Sequence, residues 1–350
     1  MEIRVYDREM NFMGISENQT SLTWTRRYFE SGEFTLYAPL TDYNLSLYKL
    51  DNLVTYRGAG EAGVIEDLTL RSTSTERIII ASGRFLTSYL DRRLIRPRLN
   101  FSGTVETAMR QIITDAVPIP RVVMGDFHDF PETVEFQASY KEILKTETAL
   151  SKSSNIGFKM RPDFTEKLIY FETYKGVDRS RRQKERSFIE FSDTFNNLNS
   201  VENRKNNQLL KNVGYVGGEG EGDERVWVTV GNDGLEGLDR REVLIDARDL
   251  TSTDLTEDEY LAVLMTRGYE RLGEQILSDS YESETIPQGN FRYKVDYDLG
   301  DIVTVRKNGW GLDQDSRITE IQEVYENGAA KIVPIFGNPL PTTLNLEDNV

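Results

Sequence analysis

Tyr297-Asp-Leu-Gly-Asp-Ile-Val-Thr-Val305, answered by Arg317-Ile-Thr-Glu-Ile321, is the stretch on which the reading of this chain turns. Leu299-Gly300-Asp301 makes a tight turn into an apolar, β-branched strand, the residue type that fits a pleated, half-buried surface. The polar run around Asn308-Gly309, or the Gly311–Ser316 stretch, offers the reversal that returns the chain as a second strand. Asn327-Gly328 marks a further reversal before Lys331-Ile-Val-Pro-Ile-Phe336, because Asn and Gly accept the positive φ of a type I′ turn. A meander of short strands without a nucleophile, a metal cluster or a phosphate loop points to a structural barrel.

Strand signals also dominate the first hundred residues. Glu2–Asp7 alternates, with Ile3 and Val5 on one face and Arg4 and Tyr6 on the other. Ser21–Tyr28 and Glu33–Tyr37 flank a hairpin-like Ser31-Gly32, and Leu53–Arg57, Gly63–Leu70 and Glu76–Ser82 continue the meander to Gly83–Ile95 and the interrupting Pro97. The middle is mixed. Thr104 is placed to N-cap a helix carrying Val105, Met109, Ile112 and Ile113, and Ser139-Tyr-Lys-Glu142 has capping-box spacing ahead of Ile143, Leu144 and Leu150. That second helix should stop near Ser154-Asn155, with Gly157 free to turn left-handed. Phe158–Arg161 and Lys167–Tyr174 read as strands, so this part reads as a small α+β domain. The β pattern resumes with Phe188–Phe191, Asn212–Val216, Arg225–Val230 and Val243–Ile245. Thr256-Glu-Asp-Glu259 then opens the strongest helix, striped by Leu261, Leu264, Met265, Leu272 and Ile276. Leu340–Val350 reads as a tail or linker.

Length and composition bound the function. With 350 residues there is room for two or three domains, each with its own core. No apolar run approaches the roughly 18 residues a membrane helix needs, and Met1–Tyr6 reads as a first strand, not as a secretory signal. With no cysteine there is no disulfide framework, thiolate zinc site or Cys nucleophile, which fits synthesis in a reducing cytoplasm. The formal charge is −16 and unevenly spread: residues 201–350 hold 15 Lys+Arg against 30 Asp+Glu, and residues 1–200 hold 27 against 28. Such an acidic half repels polyanions, although solubility alone is an equally good account of it. Arg179-Ser-Arg-Arg-Gln-Lys-Glu-Arg186 is the conspicuous basic run. It reads as a solvated loop, since it lacks the interleaved aromatics of a nucleic-acid platform.

The chemistry sought does not assemble. The single histidine, His128 in Gly125-Asp-Phe-His-Asp-Phe130, has no nucleophile elbow to serve and too few partners for zinc. It reads as a loop residue. Asn232–Asp239 and Asp313–Ser316 are too short for an EF-hand and read as turns. Trp24, Trp227 and Trp310 sit at strand spacing, which favours core or interface over a sugar platform. Gly217-Gly-Glu-Gly-Glu-Gly-Asp-Glu224 places acids where a phosphate would approach, so it reads as an acidic hairpin tip and not as a P-loop. No catalytic, metal or cofactor site is assigned.

Three segments together resemble the tail hub (baseplate or tail-tip hub) proteins of siphophage-type bacteriophages and related injection particles. They are Leu22–Leu36, with Trp24, Gly32 and Phe34; Gly63–Asp67 leading to Gly83-Arg84 and Leu90-Asp-Arg-Arg93; and Gly300-Asp301 with Arg317. The resemblance implies a homotrimer in which each chain supplies two tube-type β-barrels to a ring. That ring would join the distal tail or tail tube protein to a spike, fibre or lysin and let DNA pass without specific binding. It implies a virion structural protein, made in the host cytoplasm, and not an enzyme. The alternative from another class is a glycan-binding or glycan-cleaving tail module, for which carboxylates are abundant but unplaced.

The expected fold is mainly β with an α+β insertion and discontinuous domains. Residues 1–95 with about 186–245 would form the first barrel, 96–185 the insertion, 246–339 a helix and the second barrel, and 340–350 a tail. Glu219, Glu221, Asp223 and Glu224 are the candidate lumen residues.

Overall fold

The computed structural model describes residues 1–96, 98–195, 197–275, 278–285, 290–326 and 328–338. Pro97, Ile276, Asn327 and the expected tail 340–350 therefore lie outside the described residues. The chain is mainly β and divides into two compact units. The first comprises Met1–Lys175, Lys211–Glu274 and Glu323–Ala330; the second comprises Gly176–Leu210, Gln275–Gln322 and Lys331 onward. Of the segment assigned to the first barrel, residues 211–245 fall in the first unit and 186–210 in the second.

In the first unit, alternation builds two facing sheets. Ile3–Tyr6 lies between Phe12–Ser16 and Leu53–Tyr56, with Gly63–Val64 beyond, all antiparallel. The second is the end of a larger sheet and runs Ser21–Arg27, Glu33–Pro39, Arg77–Arg84, Asp67–Ser72. Its register sets Leu22 against Leu36 and Trp24 against Phe34, so the apolar alternates of both strands share one face. That face meets Ile3, Val5, Val54 and Tyr56 in a common core. Tyr6, expected on the polar face with Arg4, is buried in a neighbouring core that continues into the helical segment.

Helix α1 (Asp42–Leu47), which carries no strong apolar period, is started by Thr41 accepting the Asn44 amide. Helix α2 (Val105–Asp115) starts where the spacing predicts, with the Thr104 hydroxyl accepting the Thr107 amide. Helix α3 (Ile143–Ser154) departs from expectation at both ends. The Ser139–Glu142 capping box does not form, and Glu142 stands at the N-cap without a side-chain bond. The reason is tertiary: Tyr140, Lys141 and Ile143 exchange backbone hydrogen bonds with Arg93 and Ile95. At the other end Asn155 takes the left-handed turn (φ 58°), not Gly157. Gly157 begins a strand, and a Cβ there would lie 2.4 Å from the Tyr28 ring, so its glycine serves close approach. Helices α2 and α3 pack with the sheet Val122–Met124, Leu168–Tyr174, Gly157–Asp163 and with the hairpin-like pair Leu99–Thr104 and Thr133–Ala138.

Val213–Gly217, Trp227–Gly231 and Glu242–Asp246 were expected to complete the N-terminal barrel; they pair with one another instead. Their inner face, Val216, Val230 and Ile245, is covered by α4 (Glu257–Glu274), which is opened by the reciprocal Thr256–Glu259 caps. The buried stripe of α4 is Tyr260, Val263, Leu264, Gly268 and Leu272, whereas Met265 is exposed. Gly268 lets the helix sit directly on Val216 and Val230.

The second unit centres on Ile302–Lys307, parallel to Glu190–Ser192 and antiparallel to the strand Leu312–Glu326. The reversal falls at Asn308–Trp310, with Gly311 left-handed at φ 64°. Leu198–Asn206, Ser278–Thr285 and Ala329–Asn338 extend the pairing. Phe191 meets Tyr297 and Phe336 at ring separations of 5.2 Å in its core.

Among the described residues no sheet closes on itself. Phe12–Ser16 and Asp67–Ser72 each have a single paired neighbour, as edge strands do. The two expected tube barrels therefore do not close among the described residues, since closure requires the first and last strands to pair.

Candidate assembly site

The residues picked out near the N-terminus converge on one aromatic node. Trp24 is 1% exposed and touches Phe34, Phe85 and Tyr56 at ring separations of 5.8, 4.5 and 5.4 Å. Two glycines make room around it. A Cβ on Gly32 would lie 2.4 Å from the Thr25 carbonyl, and one on Gly83 would lie 1.9 Å from the Val64 carbonyl. Arg84 then forks onto Glu66 through Nε (2.9 Å) and Nη2 (3.0 Å) and reaches Asp91 through Nη1 (2.9 Å). Arg93 does not join this cluster; its guanidinium donates to the carbonyls of Val117 and Arg92. Beside the node lies a group that the sequence reading did not single out. Tyr56 and Tyr325 both donate to Glu323, which is buried, and burial together with that carboxylate raises both phenols far above their ordinary values.

In the second unit the Gly300-Asp301 turn is a second node. Gly300 has φ 92° and its amide donates to the Ile318 carbonyl, while Arg317 Nη1 donates to the Gly300 carbonyl at 2.6 Å. The buried Asp301 carboxylate accepts from the Val177 amide (2.7 Å), Arg179 Nε (2.8 Å) and the Asp298 amide (3.1 Å). Gly176 passes so close that a Cβ would fall 1.8 Å from the Gly300 carbonyl oxygen. The basic run that follows is not a freely solvated loop. Arg179 pairs with Asp301, Arg181 with Asp313 and Glu190, and Arg182 with Asp315 and Asp313, so three of its arginines are neutralised within the unit.

The acidic loop joins two antiparallel strands, as expected of a hairpin tip, but its members differ. The Glu219 carboxylate accepts the Ser252 amide (3.0 Å) and hydroxyl (2.7 Å). Hydrogen bonds from Thr251 first and Ser252 next hold it below the usual carboxylate range. Glu221, Asp223 and Glu224 stay exposed at the tip.

His128 is an exposed loop residue stacked on Phe130. Its loop is held from beneath by two residues one helical turn apart on α2. Glu106 accepts the amides of His128 (2.9 Å) and Phe130 (3.3 Å) and the Thr173 hydroxyl (2.7 Å). Arg110 donates to the carbonyls of Gly125 (2.8 Å) and Asp126 (3.0 Å). Burial works against the Glu106 anion, yet these bonds win and its pKa is lowered. Glu147 on α3 is the opposite case. It is fully buried, neither carboxyl oxygen has a hydrogen-bond partner, and burial raises its pKa well above the ordinary value. Its place in the stripe Ile143, Glu147, Leu150, Ser154 is the one sequence signal of that burial. Among the described residues no group of three or more His, Cys, Asp or Glu is arranged to hold a metal, and no helix is long and apolar enough to cross a membrane.

The nodes hold backbone segments together and do not line a reaction centre. Two sheet-built units, each bound by such a node, make up the described chain, and known proteins share this fold. The chain shares its fold with the 43 kDa tail protein of prophage MuSo2 from Shewanella oneidensis (TM-score 0.58, 16% identity, covering 97% of this chain and 99% of that one). It also resembles a tail protein from Neisseria meningitidis MC58 (0.60, 12%, 96% and 95%) and prophage tail protein gp18 from Listeria monocytogenes EGD-e (0.57, 14%, 97% and 96%). No curated protein sequence matches it. The model of the siphovirus ReqiPepy6 Gp37-like protein family matches residues 2–338, and the chain belongs to that family. The resemblance to tail-associated phage proteins read from the sequence is thereby borne out.

Proposed function

We propose that this protein is a non-enzymatic structural component of a phage tail tip. Three copies form a hub ring between the distal tail or tail tube protein and a spike, fibre or lysin, and DNA leaves through the ring. The observation that carries the reading is a correspondence of fold with tail proteins along nearly the whole of both chains. The open sheets support it, since unpaired edges invite pairing with another chain. In this reading residues 1–95 and the strands of 246–339 supply the ring wall, the helices lie outside it, and the loop Gly217–Glu224 reaches past the wall into the lumen.

Glu221, Asp223 and Glu224 are the acids that would face DNA. Glu219 is tied to Ser252 and serves to fix the loop. Duplex DNA carries about one charge per 1.7 Å, so an acidic wall repels it where a basic one would bind at many points. The test is the mass of the full chain, alone and with the neighbouring tail protein, by sedimentation. Three copies per complex are expected, and a chain that stays monomeric in both conditions refutes the hub. Replacing the three tip acids by Lys should leave assembly intact and slow DNA ejection, most at low salt.

A further inference from the structure

Two features at the two ends of α2 lie outside the nodes described above. One is the loop Asp126-Phe127-His128-Asp129. All four residues are exposed, with Phe127 at 51%. An exposed phenyl on a loop is usually mobile, but this one stands on a fixed base: Glu106 holds the amides of His128 and of the adjoining Phe130, and Arg110 holds the carbonyls of Asp126 and of the adjoining Gly125. The Arg110 guanidinium also lies 5.6 Å from the Phe127 ring centre. The ordering cost of binding through such a loop is already met in the fold. Asp126 and Asp129 flank the ring and make no side-chain hydrogen bond or ion pair among the described residues.

The other feature is a cavity of about 290 Å³ where α2 ends, lined by Ile95, Leu99, Ile112 and Ala116 with Arg96, Arg98 and Asp115. An apolar cavity of about 150 Å³ already takes a benzene ring, so a phenyl side chain fits here. Asp115 is engaged by the Gln111 amide at 3.1 Å. Arg96 and Arg98 are exposed and have no hydrogen bond or ion pair among the described residues. Arg98 merely favours the Glu219 anion from a distance. Two guanidiniums, without a hydrogen bond or ion pair among the described residues, outnumber the one carboxylate of a hollow that is apolar on its Ile95, Leu99, Ile112 and Ala116 side, which suits an aromatic ring flanked by carboxylates.

Helical geometry decides who the partner is. At about 100° per residue, Glu106 and Arg110 project roughly 150° away from the mean direction of Ile112, Asp115 and Ala116. One chain cannot insert its own loop into its own cavity across the helix that separates them. A second copy can, and loop and cavity on opposite sides of one element make a head-to-tail contact, the type that generates rings.

We infer that the Asp126–Asp129 loop of one copy docks in the Arg96/Arg98 cavity of the next, with Phe127 as the anchor and Asp126 and Asp129 paired to the two arginines. This rests on the trimeric-ring reading and specifies one of its contacts. The test uses the full chain in sedimentation against concentration. Phe127→Asp should weaken self-association roughly 30-fold or more, as loss of an interface anchor does. Asp126→Arg with Asp129→Arg should do the same, and adding Arg96→Asp with Arg98→Asp to that chain should restore it. All five residues are exposed, so each variant should keep the wild-type unfolding midpoint. Because the chain has no cysteine, mixing an Asp126→Cys chain with an Arg98→Cys chain should also give a disulfide-linked pair. Wild type and variants that trimerise equally, or a charge exchange without rescue, overturn the contact and leave the ring reading standing. Monomeric wild type at every concentration, with the tail protein present, overturns both.

Discussion

Replacing Glu147 by Leu should stabilise the protein, and the gain should grow with pH. The side chain is fully buried on α3 and neither oxygen is hydrogen-bonded. Burial raises its pKa well above the ordinary value, so folding retains a proton that the unfolded chain gives up above about pH 4.3. The unfolded state then binds fewer protons, and stability must fall as pH rises, by about 1.4 kcal/mol per unit. The window opens at the unfolded pKa and closes at the folded one, above which both states are ionised. Leu has no proton to retain, so its curve lacks this slope. Below the window the variant loses only an unpaired polar group, a gain of about 1–3 kcal/mol, less up to about 1.5 kcal/mol for imperfect shape. Urea unfolding at about pH 4, 5.5 and 7, followed by tryptophan emission, to which Trp24 and Trp227 of the same unit contribute, measures the difference. Other titrating groups cancel because they are common to both chains. A difference that does not change with pH, or a Glu147→Leu chain less stable at neutral pH, would refute the reasoning.

Glu106 should behave with the opposite sign. Its lowered pKa means that its contribution is present at neutral pH and is lost as pH falls through the folded pKa. Glu106→Gln should remove that acid-side loss and, since one acceptor oxygen becomes a donor, free one of the His128 and Phe130 amides to exchange, read by hydrogen exchange. Asp301→Ala breaks a buried carboxylate's bonds to Arg179 and two amides and should cost about 3–5 kcal/mol, with faster exchange at Val177 and Asp298. Gly83→Ala drives a methyl into the Val64 carbonyl and should cost about 3 kcal/mol by denaturant midpoint, whereas Gly60→Ala, with open space around it, should cost far less.

What the sequence disclosed was local. The Thr104 and Thr256 caps and the Asn308–Gly311 reversal follow from spacing, because each is decided within a few residues. What it withheld was tertiary. The Ser139–Glu142 box lost to pairing with Arg93–Ile95, and Gly157 proved necessary for Tyr28 and not for its own φ. Strands 213–217, 227–231 and 242–246 carry the same β signal whether they pair with the N-terminal sheet or with one another. Among the candidate residues, Trp24, Gly32, Phe34, Gly83 and Arg84 came together and Gly300, Asp301 and Arg317 did, while Arg93 stands apart. Glu106 and Glu323 were missed because their deciding partners, His128 and Tyr56, lie 22 and 267 residues away in sequence.

The buried acid on α3 also alters the protein's proton inventory. The formal charge of −16 counts every Asp and Glu as ionised. A carboxyl that keeps its proton in the native state makes the folded chain one charge less acidic than its composition states. Unfolding at a pH inside that window must then release a proton to the buffer, and the heat of unfolding will carry the buffer's own ionisation enthalpy. Calorimetry in two buffers of unlike ionisation heat would count that proton, and the Glu147→Leu chain would show one fewer.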